Sequence, residues 1–170
     1  VNLTPAPWKP RTVAGVIDVG IVFGYVVVLG MVIAVIFPML TGPTSILIGS
    51  IMAILLIEVP IGIWWWRQES TKGDTLGKRF AGVFVVNAAT KKPATSAECA
   101  IRVIAKLLPW VIVHIMILMS TDPVMGHQWW PLPCLFLSAA IGAASLGSAY
   151  VRSDHRAWHD LIAGTQVVSN

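Results

Sequence analysis

Apolar residues fall in four long runs along the chain, and the polar residues gather between them. The first run, Val19 to Leu40, contains no charged side chain. With the preceding turn from Val13 to Asp18 it predicts a span over about 13–40, since about 20 residues at a 1.5 Å rise cross a hydrocarbon core of about 30 Å. Pro38, Gly42 and Pro43 supply the turn chemistry that ends it. The stretch reads as a span and not as a secretory signal peptide, because it is too long, holds Asp18 and is followed by no small-residue cleavage site. The second run, about 45–66, has Glu58 as its only charge and Pro60 as a bend. Trp64, Trp65 and Trp66, backed by Arg67, close it as an interfacial belt.

The third run, about 100–119, is entered through Ser96 as an N-cap, with Glu98 in the favourable first turn. It carries Arg102 and Lys106 and is expected to lie along the membrane surface before turning inward near Pro109. Thr121 to Met125 reads as a turn, and Trp129-Trp130 as the far interface. The fourth run, about 132–150, is rich in Ala139, Ala140, Gly142, Ala143, Ala144, Gly147 and Ser148. Small residues let helix backbones approach closely in lipid, so this face packs inside the bundle or against another subunit. The fold class expected is all-α membrane: a four-helix transmembrane bundle forming one domain over 1–170. A loop over 67–95 and a tail over 151–170 complete it. In the loop, the apolar run Phe80 to Val86 is a strand or an interfacial segment, and Asn87 to Ala94 is a turn. Residues 152–168 are expected to fold back on the helix ends, with Val167-Val168 pairing with the 80–86 run as a small sheet.

Composition sharpens this picture. Apolar residues make up 56% and charged residues 12%, against about 25% charged in soluble domains. The mean hydropathy is +0.76. A chain of this kind cannot cover its apolar surface in water, and a bilayer removes the problem. The net charge is +4, but the basic residues lie between apolar runs and not on a basic face, which argues against nucleic acid as a partner. The stretches 38–44 and 120–131 contain none of the 12 lysines and arginines. The positive-inside rule then puts both termini and the central loop in the cytoplasm. That topology sets Cys99 and Cys134 at opposite faces, too far apart for a disulfide.

Ionisable groups within a membrane are costly and are candidates for function by default. Asp18, Glu58 and His114 sit at similar depths, about 10–13 Å in, counted from Arg11, Arg67 and Lys106 at 1.5 Å per residue. As a cluster they suit a cation or proton site. The alternative is a structural clamp in which Asp18 pairs with Arg11, or with Arg102 or Arg152 from another helix. His155 and His159 would share one face if the tail were helical, but too few ligands complete a zinc set, and no metal or other cofactor is expected. The segment Gly73-Asp-Thr-Leu-Gly77-Lys78-Arg79 has too few residues between its glycines for a phosphate loop, and Arg79 stands where Ser or Thr is needed. No nucleophile elbow or HExxH motif is present, so enzyme chemistry is not expected.

Four motifs occur in order: Arg11-x-x-Ala14-x-x-Ile17-Asp18, then Gly73-Asp-Thr-Leu-Gly77-Lys78-Arg79-Phe-Ala-Gly82, then Arg102, and lastly His159-Asp160-Leu-Ile-Ala-Gly164-Thr165. Over about residues 8–168 the chain resembles the RDD family of bacterial membrane proteins, named for one arginine and two aspartates. The resemblance makes these Arg11, Asp18 and Asp160, one coupled network near the cytoplasmic face of the bacterial inner membrane. It implies a membrane location more than a reaction, with sodium/proton exchange linked to some members. The reading that follows is a small accessory or scaffold subunit packing against a larger membrane assembly, through the fourth span, or a homo-oligomer. The alternative is a cation/proton exchanger using intramembrane carboxylates.

Overall fold

The computed structural model describes residues 3–40, 51–52, 54–120 and 131–169. In chain order the elements are β1 (Thr4–Pro5), α1 (Trp8–Leu40), a π-helical turn (Ile54–Glu58), α2 (Val59–Lys72), α3 (Leu76–Phe80), β2 (Val83–Asn87), α4 (Ser96–Ser120), α5 (Pro131–Val151), α6 (Trp158–Ala163) and β3 (Thr165–Ser169). Among the described residues three helical stretches are long and apolar enough to cross a membrane: Trp8–Ile33, Ser96–Met116 and Leu132–Val151. The remaining expected span, about 45–66, falls partly outside the described residues. So do the turns at Gly42-Pro43 and Thr121 to Met125, and the Trp129-Trp130 interface.

The long helices have the surface that lipid requires. Val16, Phe23, Val28 and Met31 of α1 and Phe136 and Leu137 of α5 are all exposed. A helix that is apolar all round fits hydrocarbon and not water. α4 is one continuous helix from Ser96 to Ser120 with Pro109 inside it, which corrects the expected surface segment with a turn at Pro109. The carbonyl of Pro109 is used across the bundle, accepting from Ser138 Oγ of α5 at 3.0 Å. The cap of α4 is also one residue earlier than expected. Thr95 Oγ1 accepts from the Glu98 N–H at 3.3 Å, and Glu98 Oε2 accepts from the Thr95 N–H at 2.8 Å, a reciprocal capping box.

α2 outruns the tryptophan belt and reaches Lys72, so residues 67–72 are helix and not the start of a loop. At its other end Pro60 has no N–H to offer the carbonyl four residues back, that of Leu56. The adjoining turn is π-helical, and the Leu56 carbonyl accepts from the Tyr25 hydroxyl of α1 at 2.5 Å. The freed carbonyl thus becomes a link between two helices.

The sheet expected between loop and tail is present. β2 and β3 are antiparallel, with Phe84 opposite Val168 and Val85 opposite Val167. β1 adds a short third strand on the other edge of β3, with Thr4 opposite Ser169. Gly164 makes the tight connection from α6 to β3 in the left-handed region, φ 67°, where a side chain would be strained. The inner face of the sheet buries Val83, Val85 and Val167 with Ala14 of α1 and Cys99 of α4. Ile61 and Trp65 of α2 pack on Val103 of α4 in a second cluster. Cys99 and Cys134 are both free thiols.

Gly77 sets the distance between α3 and α1. A Cβ there would lie 2.2 Å from the Ala14 carbonyl oxygen and 2.9 Å from Asp18 Oδ1. Gly77→Ala must push α3 off α1, at the upper end of the roughly 1–3 kcal/mol typical of overpacking. Gly142, which has open space around it, is the control. We expect a clear fall in thermal midpoint for Gly77→Ala and almost none for Gly142→Ala. Equal midpoints for the two variants contradict this packing.

Candidate functional site

The polar residues of α1, α2, α3, α4 and α6 meet in one buried network where the helices adjoin the sheet. Its centre is Arg102, the largest fully buried side chain among the described residues. Arg102 Nε donates to Asp160 Oδ1 at 2.7 Å, and Nη1 donates to Glu69 Oε1 at 2.5 Å. The planar guanidinium spans two carboxylates from different elements, which an ammonium could not do in one plane.

Asp160 sits in the first turn of α6. Its Oδ2 accepts from Arg11 Nη2 of α1 at 2.7 Å and from the Ala157 N–H at 3.1 Å. Thr165 Oγ1 donates weakly to Oδ1 at 3.4 Å. Burial alone would raise this carboxyl, but Arg102 and Arg11 overcome it and hold Asp160 well below the usual carboxylate range. Glu69 is likewise fully buried. Its Oε1 accepts from Arg102, from Lys78 at 2.6 Å and from Lys106 at 2.9 Å. Here too burial works upward, and the charges of Arg102, Lys106 and Lys78 prevail, leaving Glu69 ionised and held low.

Asp18 lies at the other end of the network. Its carboxylate accepts from Thr75 Oγ1 at 2.5 Å and from the Gly77 N–H at 2.9 Å. Thr75 in turn accepts from Lys78 Nζ at 3.2 Å. The chain therefore runs Asp18, Thr75, Lys78, Glu69, Arg102, Asp160, Arg11, leaving α1 and returning to it. Arg11 and Asp160 are bonded directly, and Arg102 joins them as the sequence reading placed it, whereas Asp18 is connected to them only through Thr75, Lys78 and Glu69. The structure gives Asp18 neutral donors where an arginine partner was expected.

The other candidates lie apart. Arg152 is half exposed and makes a bidentate pair with Asp154, Nε to Oδ1 at 2.9 Å, so it stands outside the network in which it was placed. Its hydrogen bonds, opposed by burial and helped by the Arg156 N–H, draw the Asp154 carboxyl down to about 2. His114 Nδ1 is hydrogen-bonded to Glu58 Oε1. The second oxygen, Glu58 Oε2, is buried with no partner among the described residues. Asp18 shares no hydrogen bond or ion pair with either residue among the described residues, so the expected three-residue cluster is a pair. His155 and His159 do not share a helix face, because α6 begins only at Trp158. His155 Nδ1 contacts the Ala149 carbonyl and His159 Nδ1 contacts Ser145 Oγ.

Glu69, Thr75, Gly77, Lys78 and Lys106 are the members of the site that sequence reasoning missed. Three of them sit in the glycine-flanked segment examined as a phosphate loop. The signal available was the clustering of polar residues there beside an otherwise apolar chain. The arrangement can clamp helices, and none of its carboxylates is open to solvent. A family model described as the RDD family matches residues 5–164. No curated protein and no solved structure matches the chain.

The network sets the acid limit of the fold. Glu69 and Asp160 bind protons less readily folded than unfolded. Their stabilisation is complete above about pH 4, where free carboxyls titrate, and is lost as the pH falls further toward their folded values. His159 adds an earlier loss. Burial pushes its imidazole well below the usual value, Asp160 opposes this, and Arg102 and Lys106 reinforce it. Unfolded histidine gains its proton near about pH 6.5, so acidification from there already favours the unfolded chain. The thermal midpoint should fall in two stages, beginning near about pH 6.5 and again below about pH 4, with His159→Gln lacking the first. A midpoint that does not change between about pH 7 and about pH 5 contradicts the buried neutral His159.

Proposed function

The chain belongs to the RDD family, and from that premise we propose that it is an accessory or scaffold subunit of a larger assembly in the bacterial inner membrane. In this reading it crosses the bilayer four times, with 45–66 as the second span, and both termini are cytoplasmic. The absence of Lys and Arg from 38–44 and 120–131 supports the orientation.

One observation carries the accessory role. The small residues of α5 do not all face the bundle: Ala139, Ala143 and Gly147, four apart, are exposed, as are Ala140 and Ala144. Gly20 and Gly24 of α1 repeat the spacing and are exposed as well. Surfaces left to lipid have no need of small residues, whereas a helix partner gains close backbone approach from them. The buried charges are already paired with one another, as a rigid frame for such surfaces requires.

Ala143→Leu is the informative variant, since Ala143 is exposed and the change touches no described core cluster. We expect the chain to fold with its normal thermal midpoint but to lose co-purification with its membrane partner, or its own oligomer, by about tenfold, a loss of close packing equal to about 1.4 kcal/mol. Retained assembly would refute the role of this face. A second reading, cation/proton exchange, is favoured by the buried and unpartnered oxygen of Glu58 beside His114, since intramembrane carboxylates mark ion paths. Purified protein in vesicles distinguishes the two. Sodium- or potassium-driven proton movement that is lost in Glu58→Gln would displace the accessory reading, and absence of flux would remove the exchanger.

A further inference from the structure

α3 spans only Leu76–Phe80, and its two faces are unlike. Gly77 and Lys78 are buried, Gly77 against α1 and Lys78 reaching inward to Glu69. Leu76 and Phe80, four residues apart and so on one side, are exposed, Phe80 by 82%. Arg79 lies beside them, exposed and paired with Asp74 at 2.7 Å. Leu76 and Phe80 thus form a small exposed apolar patch with a cation beside it.

The position of α3 along α1 supplies a reason for this patch. The contact of Gly77 with the Ala14 carbonyl and Asp18 holds α3 at the level of residues 14–18. Asp18 is seven residues past Arg11, about 10 Å along the helix axis. At this level α1 exposes Val13, Val16 and Val19, the start of its apolar surface. The Leu76–Phe80 face therefore lies at the depth where the lipid-facing wall of α1 begins. We propose that α3 is an interfacial anchor: Leu76 and Phe80 insert at the boundary between phospholipid headgroups and acyl chains, and Arg79 reaches up to the phosphates. The apolar side, the adjacent cation and the shallow depth are the three features of a segment lying in that boundary. The same placement explains why Asp18 is met by the Thr75 hydroxyl and the Gly77 N–H, since α3 shields this carboxylate from the acyl chains. This inference rests on the reading of α1 as a membrane span.

Single cysteines carrying a nitroxide test it, in a chain with Cys99→Ala and Cys134→Ala, reconstituted into vesicles of phosphatidylethanolamine and phosphatidylglycerol. The label goes at Phe80→Cys and Leu76→Cys. Phe23→Cys, on the outward face of α1, serves as the lipid reference, and Lys92→Cys, in the exposed turn, as the aqueous reference. All four side chains are exposed or nearly so, so few packing contacts are lost. Relaxation of the label by oxygen, which concentrates in lipid, is compared with relaxation by a water-soluble nickel chelate. Positions 80 and 76 should follow position 23, with oxygen the stronger relaxer by several-fold. Stronger relaxation by the nickel chelate at 80 and 76, with position 23 still in lipid, overturns the anchor alone. Protection from both relaxers at 80 overturns it too, in favour of a covering protein. If position 23 itself is accessible to the chelate, the span and the anchor fall together.

Discussion

A guanidinium buried between two carboxylates is the constraint on which the arrangement of this protein depends. Arg102 is placed in α4 by an ordinary helical sequence, yet its side chain is almost wholly removed from solvent. Left alone there, a charge would cost several kcal/mol. The fold meets that cost by bringing Glu69 from α2 to one side of the fork and Asp160 from α6 to the other. Each carboxylate then needs further donors, and these recruit Lys78 from α3, Lys106 from α4 and Arg11 from α1. One buried cation thereby determines where five helices stand relative to one another. The gain is in register as much as in energy, because a buried ion pair is worth little net but is expensive to break.

The tail follows from the same constraint. Asp160 can reach Arg102 only if the chain after α5 turns back, and the reversal at Gly164 then delivers β3 to β2. The hydrogen-bonded chain from Asp18 to Arg11 starts and ends on α1, so the longest helix is held at two levels by one network. Glu58 and His114 belong to a separate layer, where the π turn, Pro60 and Tyr25 join α1 and α2 by a freed carbonyl. Among the described residues each layer leaves one buried carboxylate oxygen without a donor, Glu69 Oε2 in the first and Glu58 Oε2 in the second.

Much of this was legible in the sequence. The apolar runs marked the long helices, and two short β-branched runs, each near a glycine, marked the sheet, because a lipid-facing helix and a buried strand each leave a pattern in hydrophobicity. The grouping of Arg11 with Asp160 came from the motifs shared with the family, while charge on an apolar chain pointed to Arg11 and Arg102 as partners for Asp18. The partner of Asp18 could not be read. Its donors are a hydroxyl and a backbone N–H, which have no charge signature, and the close approach rests on the missing side chain of Gly77. Glu69 was hidden because α2 continues past the tryptophans, and three apolar residues in a row suggest an end to the helix. Thr95 in place of Ser96 as the cap turned on which hydroxyl faced Glu98, a choice of one residue that spacing alone leaves open. β1, only two residues long, leaves no pattern.

The most direct test of the central role of Arg102 is a double-mutant cycle with Asp160, read as unfolding free energy in detergent micelles. The variants are Arg102→Met, Asp160→Asn and the two together. Each single change strands a buried group, so each should cost about 3–5 kcal/mol. The double variant removes both charges of the pair. It should therefore cost less than the two single losses combined, by about 1–3 kcal/mol of coupling. Strict additivity within about 0.5 kcal/mol would mean that the two residues act independently, and would contradict an account built on their contact.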